Sequence, residues 1–151
     1  MEPVEGDDRG AAGSSSPEME LTAIGTVESS LRSRAEAPKQ GDEGAPEAWL
    51  AFDAAVAAGL EGLAAGDEVL VLTWLDRAAR DVLRVRPRGD AERPETGVFA
   101  TRSPDRPNPI GLHRVTVLEV EGTRLRVRDL EAIDGTPILD VKPVLRSVGE
   151  R

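Results

Sequence analysis

The chain has 151 residues, about one domain's worth, of which 39% are hydrophobic and 31% charged, with a formal net charge of −9. It holds no Cys and a single His, His113, which excludes a disulfide framework, a thiolate metal site, a Cys nucleophile and any two-histidine metal centre. No run approaches the roughly 18–20 apolar residues of a membrane-spanning helix, and the start lacks the basic-then-apolar pattern of a signal peptide, so a cytoplasmic protein with no membrane and no metal partner is expected.

Aromatic residues are limited to Trp49, Trp74, Phe52 and Phe99, too few for a module that stacks successive bases on rings. The core must come from Val, Leu, Ile and Ala, with Trp74 expected inside it and Trp49 either inside or covering a pocket. Charge is uneven: residues 77–128 hold twelve Arg against seven acids. Two readings account for this, a basic face for a polyanion or Arg alternating outward along exposed strands.

Residues 1–19 are rich in Gly, Ser, Pro and acids and nearly devoid of large apolar side chains. They predict a disordered acidic tail, followed by one domain over 20–151. Residues 21–27 have the composition of a first strand. Residues 29–47 lack periodicity and predict a long loop, the kind that serves a function or moves. Residues 53–63 are Ala-rich, with Val56, Leu60 and Leu63 at helical spacing and Asp53 in the N-cap position; they predict a short helix ended by Gly66-Asp67. Residues 69–75 form a continuous apolar run and predict a buried strand. In residues 81–88, Val82, Leu83 and Val85 alternate with Arg84, Arg86 and Arg88, as in a strand with one wet face. Residues 98–101 predict a short strand. Residues 115–121 and 125–130, joined by Gly122-Thr123, predict a hairpin, and 138–141 a last strand. The sum is a mainly β chain: a single small antiparallel barrel with one or two short helices. It lacks βαβ alternation and a Gly-x-Gly-x-x-Gly run.

Two segments look chemical. In Thr101-Arg-Ser-Pro-Asp-Arg-Pro-Asn-Pro-Ile-Gly-Leu112, three prolines stiffen the backbone. The loop then displays Arg102, Ser103, Asp105, Arg106 and Asn108, a donor set suited to a carboxylate, a phosphate or an adenine edge. In Leu130-Glu-Ala-Ile-Asp-Gly-Thr-Pro-Ile-Leu-Asp-Val-Lys-Pro143, Asp134-Gly135 marks a turn. Asp134, Asp140 and Lys142 near it make either a small charged network or a plain Asp-Gly hairpin. His113, a lone His after a Gly-Leu step, is read as a surface or packing residue outside the site.

The run Gly97-Val-Phe-Ala-Thr-Arg-Ser-Pro-Asp-Arg-Pro-Asn-Pro-Ile-Gly-Leu112, followed by Asp134-Gly-Thr-Pro-Ile-Leu-Asp-Val-Lys-Pro143, resembles the signature of the TsaA-like family. Ile24-Gly25, Ser29 and Lys39-Gln40 fit its N-terminal pattern, and the resemblance spans 21 to about 145. Characterised members of that family are tRNA N6-threonylcarbamoyladenosine methyltransferases. The resemblance implies a small β-barrel enzyme, a homodimer, with S-adenosylmethionine as methyl donor and tRNA as substrate. By motif matching, the donor would be held by Gln40, Gly41, Asp42, Asp76, Arg77, Arg102, Leu112, Glu131, Ala132, Ile133 and Asp134. Arg106, Asn108 and Lys142 would face the substrate.

The bottom-up chemistry agrees with that implication. Arg102 suits the donor's carboxylate, and a carboxylate or carbonyl suits its sulfonium. The substrate nitrogen is conjugated and weakly nucleophilic, so its proton must leave, to Asp134 or to the substrate's own carboxylate. Two alternatives stay open. One is the same chemistry on another nucleotide or small molecule; the other is a non-enzymatic barrel that binds a nucleotide-like ligand.

Overall fold

In a computed structural model of the chain, the structure describes residues 16–38, 44–86 and 92–145. The expected donor-binding residues Gln40, Gly41 and Asp42 lie outside the described residues, as does most of the expected tail. Eight strands follow in order: β1 (Gly25–Glu28), β2 (Ala48–Phe52), β3 (Glu68–Trp74), β4 (Arg84–Val85), β5 (Thr96–Gly97), β6 (Ile110–Glu121), β7 (Arg124–Arg128) and β8 (Pro137–Pro143). Six of them close a barrel in the order β1-β2-β7-β6-β3-β8, and β4 and β5 form a separate two-stranded ribbon. Every barrel pairing is antiparallel. Closure pairs the strand edges with one another.

Period-2 alternation decides what fills the barrel. Val27, Leu50, Val69, Val71, Val115, Val117, Leu125, Val127 and Ile138 are all buried, and Leu130 joins them from the segment after β7. The continuous apolar run of β3 proves two-faced: Val69, Val71 and Thr73 are buried, while Leu70, Leu72 and Trp74 are half-buried. Trp74 is therefore outside the barrel core, with the Arg80 guanidinium 5.2 Å from its ring centre. Trp49 also sits on an outer face, beneath Arg124 at 4.3 Å.

Several elements differ from the sequence reading: β1 starts at Gly25 rather than at 21, the strand expected over 81–88 is only Arg84–Val85, and β6 starts at Ile110 rather than at 115. β2 lies between the expected loop and the expected helix; its five residues, two of them Ala, put only Ala48, Leu50 and Phe52 inside. The expected helix at 53–63 is a 3₁₀ helix over Ala54–Leu60 without a side-chain cap from Asp53. A short segment containing Gly59 and burying no residue cannot repay helix nucleation. The expected strand at 98–101 is a 3₁₀ turn over Val98–Ala100, closed by Thr101 donating from both N and Oγ1 to the Val98 carbonyl. The 122–123 turn is as expected, joining β6 to β7.

Candidate active site

Beside the C-terminal end of β3 and the N-terminal end of β6 lies a cleft of about 430 Å³. Four segments wall it: 34–38 from the β1–β2 loop, 75–78 after β3, the proline-rich loop with the start of β6, and 131–136 before β8. The Pro-rich loop is stiffened from within. Arg106 donates from Nε to Ser103 O (2.7 Å) and from Nη2 to Val98 O (2.7 Å) and Thr101 O (2.5 Å). Asp105 accepts the Ala79 N–H at 2.8 Å, and Arg80 donates to Pro107 O and Asn108 Oδ1. Arg102 donates to the Leu112 carbonyl at 3.0 Å and faces the cleft. The second motif turns at Asp134-Gly135: Thr136 N bonds to Ile133 O, and Gly135 takes φ +84°, the left-handed geometry that a type II turn needs at its third residue.

Residues 29–34, at the start of the β1–β2 loop, are fastened beside the cleft by both motifs. Asp134 accepts the Ser29 N–H at 2.9 Å and pairs with Arg32 at 3.3 Å. Arg77 donates to Arg32 O at 2.9 Å, and Arg34 pairs with Asp105 at 2.9 Å. Partial burial pushes the Asp105 carboxyl up, but the Arg34 hydrogen bond, the Ala79 N–H and the Arg34 charge outweigh it and hold the group below its ordinary value.

Of the residues expected at the donor site, the cleft gathers Asp76, Arg77, Arg102, Leu112, Glu131, Ala132 and Ile133. Asp134 sits next in chain to this wall with its carboxylate turned to Ser29 and Arg32. Arg106 lines the cleft; Asn108 and Lys142 do not, and Lys142 pairs with Asp140 at 3.4 Å.

Sequence reasoning missed His113. It is 5% exposed, lines the cleft, and joins two other side chains. Its Nδ1 meets Glu131 Oε1, and its Nε2 lies 2.7 Å from Thr73 Oγ1. The signal was available: residues 113, 115 and 117 share one face of β6, and Val115 and Val117 are core. Gly111 has its reason here, since a Cβ would stand 2.5 Å from Thr73 Oγ1 and 2.7 Å from His113 Nε2.

The Arg-rich stretch separates by location, with Arg84 paired to Glu95 on the β4–β5 ribbon. On the outer barrel, Arg114 pairs with Glu68, Arg124 with Glu28, Arg126 with Glu47 and Glu119, and Arg128 with Asp129. Around the cleft, Arg77, Arg102 and Arg106 bond to carbonyl oxygens and have no carboxylate partner among the described residues, while Arg34 pairs with Asp105. Guanidinium groups outside any ion pair thus share the cleft with the carboxylates of Asp76 and Glu131.

Residues 26–149 match the tRNA-methyltransferase O N-terminal domain. The chain belongs to this family. An S-adenosyl-L-methionine-binding protein of Archaeoglobus fulgidus is 47% identical over 124 residues, covering 82% of this chain and 88% of that protein. A probable S-adenosyl-L-methionine-binding protein of Methanothermobacter thermautotrophicus is 41% identical over 131 residues, covering 87% and 93%. The crystal structure of TrmO from P. aeruginosa shares the barrel with a TM-score of 0.69 at 28% identity. The match covers 89% of this chain and 60% of that one, so the chain spans about three-fifths of that TrmO. The TsaA-like resemblance and the closed barrel read from the sequence are thereby confirmed.

Proposed function

We propose that this chain is an S-adenosylmethionine-dependent methyltransferase acting on N6 of threonylcarbamoyladenosine beside the anticodon of tRNA, as a homodimer in the cytoplasm. The observation that carries this reading is that the two signature segments, distant in sequence, wall one cleft in a barrel of the tRNA-methyltransferase O family.

The residues of the cleft fit the donor. Its volume of about 430 Å³ lies within the range of small-molecule sites. Arg102 and Arg77 present guanidinium groups for a carboxylate. Ile110, Leu112, Ala132 and Ile133 offer apolar surface for a purine. Glu131 supplies an anion for a positive centre. When bound, the donor supplies an electrophilic methyl group on a sulfonium.

The chain's part is to fix geometry and manage one proton. The proline-rich loop, cross-bonded by Arg106, holds one wall rigid, and the Arg34–Asp105 and Arg32–Asp134 pairs fasten the start of the β1–β2 loop beside the cleft. Alignment of this kind supplies effective molarities of roughly 10⁵ M or more. Proton removal from the substrate nitrogen falls to Asp134 or to the substrate's own carboxylate, a contribution of about 10²- to 10⁴-fold. Lys142, exposed beside Asp140, is assigned to substrate phosphate or carboxylate. Arg106 and Asn108 serve the substrate side through the loop they shape.

The test is methyl transfer from labelled S-adenosylmethionine to total tRNA with and without the threonylcarbamoyl modification. Transfer confined to the modified pool supports the proposal. Donor binding without transfer favours a second reading, the same chemistry on another nucleotide or small molecule. That reading draws on relatives of similar length being named for donor binding and on the chain spanning only about three-fifths of TrmO. A folded protein that binds no donor refutes both and leaves a binding module. With transfer in hand, Asp134→Asn at full turnover and unchanged donor affinity would assign the proton to the substrate's carboxylate.

A further inference from the structure

Among the described residues two carboxylates line the cleft, Asp76 and Glu131. Asp76 is exposed, so water screens its charge. The Glu131 side chain is only 16% exposed. Among the described residues it has no Lys or Arg partner; its one ionisable partner is His113, itself 5% exposed. Thr73, fully buried, completes the line on the far side of the imidazole at 2.7 Å. A neutral imidazole satisfies both contacts at once: Thr73 Oγ1 donates to Nε2, and Nδ1–H donates to Glu131 Oε1. In that arrangement the carboxylate keeps its charge, with no Lys or Arg at ion-pair distance among the described residues. One oxygen is anchored by the relay, and the group faces the cleft.

Gly111 makes the relay possible. It pairs with Thr73 across β3 and β6, and its missing Cβ leaves the space in which Thr73 Oγ1 and His113 Nε2 meet. The glycine of the Pro-Ile-Gly-Leu step thus connects the proline-rich signature to the Glu131 segment through the barrel interior.

We infer that the Thr73–His113–Glu131 relay is a charge sensor that makes the cleft discriminate the cationic methyl donor from its neutral thioether product. The inference rests on the reading that the cleft holds S-adenosylmethionine. Methyl transfer removes one positive charge from the donor and leaves S-adenosylhomocysteine, otherwise nearly the same shape. A fixed, water-shielded anion in the wall favours the first over the second and so favours exchange of spent product for fresh donor. Glu131 touches the ligand; His113 and Thr73 are positioning residues that act through it.

The test is calorimetric titration of S-adenosylmethionine and S-adenosylhomocysteine at pH 8 into the full chain and into E131Q, H113Q and T73V. The wild type should bind the cationic ligand more tightly. E131Q, which keeps size and a hydrogen-bond acceptor, should reduce the affinity ratio by about tenfold or more, as expected for losing a shielded charge contact, with S-adenosylhomocysteine affinity little changed. H113Q and T73V should reduce the ratio by less. Because His113 is the sole His, its ring ¹⁵N shifts can be assigned without ambiguity, and they should show a proton on Nδ1 and none on Nε2.

An unchanged ratio in a folded E131Q that binds both ligands would overturn the sensor while leaving the donor site standing. An imidazolium at pH 8 would overturn it too. A folded wild type that binds neither ligand would overturn the donor reading, and the sensor with it. If E131Q failed to fold, H113Q and T73V with the ring shifts would decide.

Discussion

Gly111→Ala should damage the protein far more than a one-carbon change on a strand normally does. The new Cβ would stand 2.5 Å from Thr73 Oγ1, 2.7 Å from His113 Nε2 and 3.1 Å from Leu75 Cδ2. The Leu75 methyl can yield. Thr73 is fully buried and His113 is held at both nitrogens, so neither can move without breaking their shared hydrogen bond. Overpacking of this kind costs about 1–3 kcal/mol, and loss of a buried hydrogen bond adds about 0.5–1.5 kcal/mol. The sum, about 1.5–4.5 kcal/mol, corresponds to a fall in Tm of roughly 3–18 °C for a domain of this size. Urea denaturation and calorimetry measure it. A double-mutant cycle locates it: in a Thr73→Ala background the hydroxyl is gone, and Gly111→Ala should cost less than in the wild type. A Gly111→Ala protein within about 0.5 kcal/mol of the wild type, or equal costs in the two backgrounds, would refute the reasoning.

Other outcomes follow from the same structure. Leu50→Ala empties a fully buried position between β1 and β7 and should cost about 2–5 kcal/mol by urea denaturation. Asp105 has its folded value held below the ordinary carboxylate range, so its contribution to stability is complete above about pH 4 and is lost as the pH falls through that lowered value. The stability gap between the wild type and Asp105→Asn, measured from urea midpoints, should therefore close between pH 5 and the acid limit; a gap constant with pH would count against the Arg34 pairing. Arg102→Ala should weaken donor binding by about tenfold or more through loss of a charge-assisted contact, read by calorimetry. Joint replacement of Arg124, Arg126 and Arg128 by Gln should leave the salt dependence of tRNA binding unchanged, because all three already pair with acids.

The barrel was legible where Val or Leu alternated on the inner face, as in the β6–β7 hairpin. It was not legible in β2, where Ala and Trp occupy three of five positions and blur the inner face. Nor was it legible over 98–101, where local hydrogen bonds to the Val98 carbonyl outweigh β propensity. Both chemical segments were found because prolines and an Asp-Gly step are local signals. What their side chains do was not. Arg106 reads as an exposed cation in the sequence and is a clamp on its own loop in the structure. Trp74 reads as core and lies outside the barrel under Arg80.

By itself, the sequence determined the chain's class, its mainly β pattern and the two segments that carry chemistry, because composition, periodicity and turn residues act over a few neighbours. Only the tertiary structure decided which charges cancel and which meet a ligand. Thr73, His113 and Glu131 come from β3, β6 and the segment before β8, and only closure of the barrel brings them into one line. The same closure sets Arg114, Arg124 and Arg126 beside acids of other strands and loops on the outer wall and leaves Arg77, Arg102 and Arg106 at the cleft on carbonyl oxygens. Charge pairing depends on distance in space, and strand order sets that distance.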